Sequence, residues 1–287
     1  VGSEMCIRDS NKPLLTIAMP VLNGEKYIAE ALESVRNEKQ YLSIELIVVD
    51  AVSSDKTLEI LKQYSDVVDV LISEPDNGQS SAYNKALKIA RGEYYTYLCC
   101  DDVFVRDSFK NLREVLDCGL HKWIAFNTVI ISSNRVPIKF LSGINPPKWF
   151  PKTCHHFVDS PSTIWHRSVY EEVGPFDESL DYVMDVDYWY RIIKLGYSFT
   201  RYNQYVYCLR VHDGSKTQSH GYSGFRLSKK TRLTIEPNLQ KASQSKYVTA
   251  KHDIAHSFSC SLAVKILKLR PSRIKDLYYR YFRNIEI

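Results

Sequence analysis

Strand-length apolar runs that alternate with helical patterns between residues 14 and 107 constrain this chain more than any other feature. "LLTIAMP" (14–20) and "IELIVVD" (44–50) are unbroken and rich in β-branched residues, as strands buried on both faces of a parallel sheet should be. Between them "EKYIAEALESVRN" puts Ile28, Leu32 and Val35 on one helical stripe, and "SDKTLEILKQY" (54–64) repeats the theme with Ser54 or Asp55 as N-cap. "VVDVLIS" (67–73), the helix "SSAYNKALKIAR" (80–91) and the strand "GEYYTYLCC" (92–100) continue the alternation. The expected fold class is therefore α/β, a mostly parallel central sheet flanked by helices.

In such sheets ligands gather beyond the carboxyl ends of the strands. Those ends read "PVLN" (20–23), "DAVSSD" (50–55), "SEPDNG" (73–78) and "CCDDVF" (99–104), and three of the four carry Asp or Glu. Like charges ~4 Å apart repel by roughly 4 kcal/mol at an effective dielectric of ~20, so Asp101 and Asp102 at the edge of a core call for a counter-charge. A divalent cation carrying a diphosphate would supply it. Adjacent strand residues point to opposite faces, so one Asp is expected to bind metal and its neighbour to reach a hydroxyl. The plainer alternative is an Asp-rich turn capping a helix that begins near Asp107.

A second carboxylate cluster lies in "DYVMDVDYWYRIIK" (181–194). Asp187, Arg191 and Lys194 fall at i, i+4 and i+7, one polar stripe with an expected Asp187–Arg191 pair. Asp185 lies about 200° around the helix from Asp187 and should face the side of Tyr188, Trp189 and Ile192, as either a capping group or a general base.

The net charge of +5 hides an asymmetry. Residues 1–224 hold 24 Lys and Arg against 29 Asp and Glu, whereas residues 225–287 hold 14 against 4. No apolar run approaches the ~18 to 20 residues of a membrane span, so the body is expected in the cytoplasm. Seven cysteines without a CxxC pair suggest neither a disulfide framework nor a zinc motif, and Cys99 and Cys100 read as small core residues. The opening "VGSEMCIRDS" has no periodicity, so residues 1–12 are read as a non-native or disordered leader.

These residues, in this order, resemble glycosyltransferase family 2, the inverting transferases of GT-A fold. The resemblance runs over about residues 14–216 and rests on "TIAMPVLNGEKYIAEALESV", "IELIVVDAVSSDKTLEIL", "SEPDNGQSSAYNKALKIARGEYYTYLCCDDVF" and "GPFDESLDYVMDVDYWYRIIKLGY". The phrase from Glu74 to Leu87 and "RVHDGSKT" most resemble transferases that build bacterial surface polysaccharides such as O-antigen. The resemblance implies a catalytic domain over 13–224, with a nucleotide-binding half (13–107) and an acceptor half (108–224). It implies that Asp50 bonds the donor nucleobase beside Pro20, with Gly78 and Asn84 on the donor side. Asp101 would face the ribose or sugar, Asp102 would hold Mn²⁺ or Mg²⁺, and His212 would add a metal or diphosphate contact. Asp185 would be the general base, Ser215 and Lys216 would help hold the diphosphate, and Trp165 would stack on a sugar. Two departures stand out: Ala51 where the family turn has Gly, and Leu22 where it has an aromatic.

The implied partners are a nucleotide-diphosphate sugar, with a UDP-sugar the first expectation, and a glycan or polyprenyl-diphosphate-linked acceptor. The basic extension 225–287 interleaves Lys and Arg with aromatic residues, which suits either a helix lying on an anionic membrane or one packed on the catalytic body. No nucleic-acid module is recognisable. A catalytically silent sugar-nucleotide or glycan-binding protein of the same fold is the competing reading.

Overall fold

The computed structural model of the chain describes residues 12–119, 121–141, 162–180 and 184–215. They fall in a compact unit that ends at Ser215. The extension 225–287 and Lys216 lie outside the described residues.

Strand β1 (Leu15–Val21) leads through α1 (Ile28–Lys39) to β2 (Ile44–Asp50), and α2 (Thr57–Gln63) carries the chain on to β3 (Val70–Ser73). Helix α3 (Gln79–Ile89) then returns it to β4 (Tyr94–Tyr97). The four strands lie in the order β3-β2-β1-β4 and run parallel. The chain steps outward twice and then steps back, so right-handed crossovers must put α1 and α2 on one face and α3 on the other. Packing agrees. Ile28, Leu32 and Val35 of α1 and Leu61 of α2 join Ile17, Met19, Leu46 and Val48 in one core. Ala82, Tyr83, Ala86 and Leu87 of α3 join Ala18, Ile47 and Val49 in the other. Each β2 residue thus meets a helix on one side or the other, which is why its sequence shows no polar alternation. Burying each such Val, Leu or Ile contributes roughly 1.5–3 kcal/mol.

The second half adds β5 (Val103–Phe104), α4 (Leu112–Asp117), β6 (Trp123–Ser132), β7 (Pro137–Leu141), β8 (Thr163–His166), α5 (Arg167–Val173), α6 (Met184–Lys194) and β9 (Thr200–Val211). The sheet continues β4-β8-β6-β9-β5, with β7 beside β6. Here β8 runs antiparallel to β4 and β6, β7 to β6 and β5 to β9, while β6 and β9 are parallel. The sheet is therefore mixed, its purely parallel part confined to the first half. Helix α6 docks by Tyr188, Trp189 and Ile192, all buried, and Trp189 stacks on Trp123 with ring centroids 5.4 Å apart.

Successive connections reverse direction between β1 and β4, and the crevice at such a reversal, beyond the carboxyl ends of the strands, is where this architecture binds ligands. The ends of β1, β2 and β4 frame it.

One buried carboxyl lies away from that crevice. Glu38, in the last turn of α1, is fully buried; its Oε2 accepts the Phe109 amide at 2.8 Å, and its Oε1 has no partner among the described residues. Burial pushes its pKa up from 4.5 to about 7, against the pull of backbone bonds from Phe109 and its neighbours. A carboxyl raised in the folded state contributes stability that is complete below pH ~4.5 and is lost as pH climbs through ~7, about 3 kcal/mol in all. Glu38→Gln is expected to flatten that slope and to stabilise the protein at pH 8. Urea denaturation of both proteins at pH 4.5 and pH 8 checks this, and equal slopes would contradict it.

Candidate active site

The loops that follow β1 and β2 are laced together. Asn23 N–H donates to Ser53 Oγ at 2.8 Å, Gly24 N–H to Thr57 Oγ1 at 2.8 Å, and Ser54 N–H to the Asn23 side chain at 2.9 Å. Gly24 is needed on packing grounds, because a Cβ there would come within 2.8 Å of Val21 Cγ2 and 3.2 Å of Cys100 Sγ. Asp55 accepts the Thr57 N–H at 3.0 Å just ahead of α2, Ser54 bonds across to Asn23, and the N-cap position falls to Lys56 and not to either of them. The strained residue of the second loop is Val52 (φ +59°), not Ala51, so the Gly-to-Ala departure carries no left-handed cost here. A β-branched residue in that region is a backbone outlier of the kind that clusters at ligand sites. Leu22 and Val52 leave large side chains exposed at this rim, 60% and 53% accessible.

Asp50 is fully buried at the end of β2; Ser53 N–H lies 3.2 Å from each of its oxygens and Ser73 Oγ donates to Oδ2 at 2.7 Å. The expected side-chain bond from Asp50 to a nucleobase is corrected accordingly. With both oxygens turned into the loop, Asp50 shapes the rim instead of presenting itself there. Pro20 sits within β1 opposite Val49, and Gly78, at φ +102°, opens α3 with its N–H on Asp76 Oδ1 at 2.8 Å.

Strand β4 ends at Tyr97, and the chain turns immediately, Asp102 N–H bonding Cys99 C=O at 3.1 Å. The turn, not strand alternation, separates the two aspartates. Asp102 points inward at 3% exposure; Tyr207 Oη donates to its Oδ2 at 2.6 Å and Arg210 N–H to its Oδ1 at 2.6 Å. Burial, reinforced by the Asp101 charge, pushes the Asp102 carboxyl well above the usual carboxylate range, while the bonds from Tyr207 and Arg210 pull the other way. Asp101 is only half-buried, and its Oδ2 lies 3.0 Å from His212 Nε2. Asp102 therefore anchors β9 to the turn, with a lone pair still open on each oxygen, and Asp101 is the carboxylate that meets His212.

Arg210, fully buried, holds this arrangement. Its guanidinium donates to Asp101 C=O at 2.6 Å, Ser133 C=O at 2.8 Å and Glu30 Oε2 at 2.7 Å, and it lies 4.6 Å from the Tyr27 ring centroid. His212 packs on the other contact of that ring, centroids 4.7 Å apart. Sequence reasoning read "RVHDGSKT" for its histidine and missed Arg210 and Tyr207; alternation along β9 puts 207 and 210 on opposite sides, and it is the Arg210 backbone N–H that reaches Asp102, so no pattern pointed to them.

Helix α3 ties this turn to the acceptor half. Gln79 Nε2 approaches Cys99 Sγ at 3.4 Å, and its neighbour Ser80 Oγ approaches Met184 Sδ at 2.9 Å and Leu180 C=O at 3.2 Å. Asp185 follows Met184, so α6 begins at the same end of the sheet as the Asp101 turn. Asn84 is corrected from donor contact to strut: its Nδ2 donates to Phe176 C=O and to Glu178 Oε1, both at 2.9 Å, and its Oδ1 accepts Phe176 N–H at 2.8 Å. Trp165, at 1% exposure, is a core ring among Tyr97, Tyr188 and Trp189, which rules out sugar stacking in this arrangement. On the far side of α6, Arg191 Nε meets Asp187 Oδ2 at 2.9 Å and its Nη atoms cap Val173 and Pro175 carbonyls. Ser215 N–H donates to His212 C=O at 2.9 Å, and its buried hydroxyl has no partner among the described residues.

The donor set fits a divalent cation. Ligand atoms of Cys99, Asp101 and Asp102 lie within 4.8 Å of one another, and His212 Nε2 stands beside them at hydrogen-bond distance, 3.0 Å, from Asp101 Oδ2.

With this geometry in hand, the comparison with known families is decisive: the model for glycosyl transferase family 2 matches residues 16–174, more than half of the chain. The chain belongs to glycosyl transferase family 2. Among family-2 relatives, an uncharacterized glycosyltransferase of Rickettsia typhi is 26% identical over 74% of this chain and 68% of its own length. One of Methanocaldococcus jannaschii is 27% identical over 71% and 73%. A putative teichuronic acid biosynthesis glycosyltransferase, TuaG of Bacillus subtilis, is 33% identical over 37% of this chain and 42% of its own. Solved structures place the fold: S. aureus TarS 1–349 in complex with UDP-GlcNAc superposes with a TM-score of 0.59 at 19% identity, covering 77% of this chain and 64% of that one. The mannosyltransferase PcManGT of Pyrobaculum calidifontis, in complex with GDP-Man and Mn²⁺, gives 0.56 at 16% identity over 92% and 83%. The fold of this family-2 glycosyltransferase is thus GT-A.

Proposed function

We propose that this family-2 member is a divalent-metal-dependent, inverting transferase that moves a sugar from a nucleotide-diphosphate donor, with a UDP-sugar the first candidate, to a hydroxyl of a glycan or lipid-linked acceptor in cell-surface polysaccharide synthesis. The observation that carries it is the Asp101–His212 pair at 3.0 Å, held at the strand-order reversal by Arg210 and the inward-turned Asp102. Nucleotide complexes of TarS and PcManGT support the donor class, and the teichuronic acid assignment of TuaG supports the acceptor class.

In this reading the base lies over Leu22 and Val52, exposed on the rim that Asp50 and Pro20 shape, and Gly78 leaves the opening turn of α3 clear for the donor. Asp101 and His212 would hold Mn²⁺ or Mg²⁺, and the Ser215 hydroxyl, without a partner among the described residues, would contact the diphosphate; the same role is proposed for Lys216, which lies outside them. When bound, the ion neutralises charge that develops on the departing nucleoside diphosphate. Asp185 takes the proton of the acceptor hydroxyl as its oxygen attacks the anomeric carbon opposite the leaving group, and one displacement inverts the configuration. Among the described residues no helix is long and apolar enough to cross a membrane. Contact with a membrane-borne acceptor through the basic extension, at the cytoplasmic face, is part of the proposal.

A panel of radiolabelled UDP- and GDP-sugars, assayed for hydrolysis and transfer with and without Mn²⁺, tests the reading. It expects turnover of at least one donor only with the ion. Tight donor binding with no turnover in any combination would favour the silent binding protein instead.

A further inference from the structure

We infer that Glu30, in the first turn of α1, is a positioning residue of the Asp101–His212 pair and acts through the buried guanidinium of Arg210. The inference rests on the metal-dependent reading above. The Arg210 side chain has no exposed surface, and a charge held so far from water must be answered by an opposite one. Among the described residues the carboxylate that its guanidinium bonds is Glu30, Nη2 donating to Oε2 at 2.7 Å. Asp102 takes the Arg210 backbone N–H instead. The other two guanidinium nitrogens are used on carbonyls, Nε on Asp101 at 2.6 Å and Nη1 on Ser133 at 2.8 Å, which satisfy donors but bring no charge.

Both members of the pair lean on this guanidinium. Its Nε–H fixes the Asp101 carbonyl, and with it the backbone from which the Asp101 carboxylate springs. It also lies 4.6 Å from the centroid of the Tyr27 ring, and that ring lies 4.7 Å from the ring of His212, whose Nε2 is 3.0 Å from Asp101 Oδ2. Tyr27 precedes the first turn of α1 and Glu30 follows three positions on, so one helix end presents a ring and a carboxylate to the same cation. The plainer role for an acid in a first turn is to offset the helix dipole, which would stabilise α1 and leave the pair alone. Arg135 separates the two roles. It reaches the same Glu30 Oε2 at 3.3 Å, but its side chain is 44% exposed, where water screens the attraction. Without Arg135, Glu30 still answers Arg210; without Glu30, a buried cation loses its counter-charge.

The test is Mn²⁺ titration of the full chain, read from the free-ion electron paramagnetic resonance signal and paired with thermal melts. Glu30→Gln keeps the side-chain shape and should bind Mn²⁺ about tenfold or more weakly than wild type, the range that supporting partners of metal ligands command, while still melting as a folded protein. Arg135→Ala should stay within about twofold of wild type. Arg210→Lys keeps the charge but cannot span three acceptors, and should lose about as much affinity as Glu30→Gln. The double variant Glu30→Gln/Arg210→Lys should lose little more than Arg210→Lys alone, because both changes break one link. Wild-type affinity in Glu30→Gln, with or without a lower melting temperature, assigns Glu30 to the helix alone and overturns the inference while the metal-dependent reading stands. An equal loss in Arg135→Ala, or additive losses in the double variant, overturns it as well. Glu30→Gln against Arg135→Ala decides the matter should Arg210→Lys fail to fold. If wild type binds no Mn²⁺, the metal-dependent reading falls and this inference falls with it.

Discussion

Asp185→Asn is expected to lower the transfer rate by about 10²- to 10⁴-fold, the range that a positioned general base supplies. The amide matches the carboxylate in shape and can still accept a hydrogen bond, yet it cannot take the acceptor proton at neutral pH. Donor affinity should stay within about twofold, because in the proposed mechanism the residue acts on the incoming hydroxyl and not on the nucleotide. Asp185 opens α6 next to Met184, whose sulfur meets Ser80, and the helix is locked below by Tyr188, Trp189 and Ile192. The near-isosteric substitution is expected to keep that packing, which circular dichroism checks. Single-turnover kinetics with saturating donor separate the outcomes: a matching loss of kcat and donor affinity would assign Asp185 to donor binding, and an unchanged kcat would remove it from the chemistry.

Asp101→Ala carries the second large effect, a loss of transfer on the order of 10³-fold. The alanine removes the carboxylate that His212 meets at 3.0 Å. The backbone carbonyl of residue 101, which Arg210 uses at 2.6 Å, is untouched, so the turn and β9 should keep their places. Because the ion would act on the leaving group, kcat should fall more steeply than donor affinity. Raising the divalent-ion concentration should restore part of the rate through His212. Activity that survives Asp101→Ala without added metal would contradict the assignment.

Much of the fold was legible because one physical signal fixed it. Runs such as "IELIVVD" must be covered on both faces, and β2 occupies the same residues, 44–50, that the apolar run marks. The strand-order reversal that locates the crevice was not legible: right-handed crossovers fix which face each helix covers, but the placing of β4 beside β1 is seen only in the structure. The second half was less legible, because short strands such as Val103–Phe104 are too brief to show a period, and the sheet there turned out antiparallel at four pairings.

Within the site, residue types were easier to read than directions. The sequence singled out Asp101 and Asp102, but which one faces outward depends on where β4 stops, and strand pattern does not encode that boundary. Tyr207 and Arg210 decide it from more than a hundred positions away, through bonds of 2.6 Å to Asp102. Asn84 and Trp165 misled for a related reason: a polar or aromatic residue near a motif can serve the packing behind the site as readily as the ligand in front of it. Val52, not Ala51, carries the left-handed backbone, because the loop is fixed by its lacing to Asn23 and Gly24 and not by the residue types alone.

The most direct measurement is the affinity for Mn²⁺, read from the free-ion electron paramagnetic resonance signal, in wild type, Asp101→Ala and Asp102→Asn, each with UDP present. Loss of Mn²⁺ in Asp101→Ala, with binding kept in a folded Asp102→Asn, is the expected result. Retention of Mn²⁺ in Asp101→Ala, or its loss only in a folded Asp102→Asn, would contradict the account.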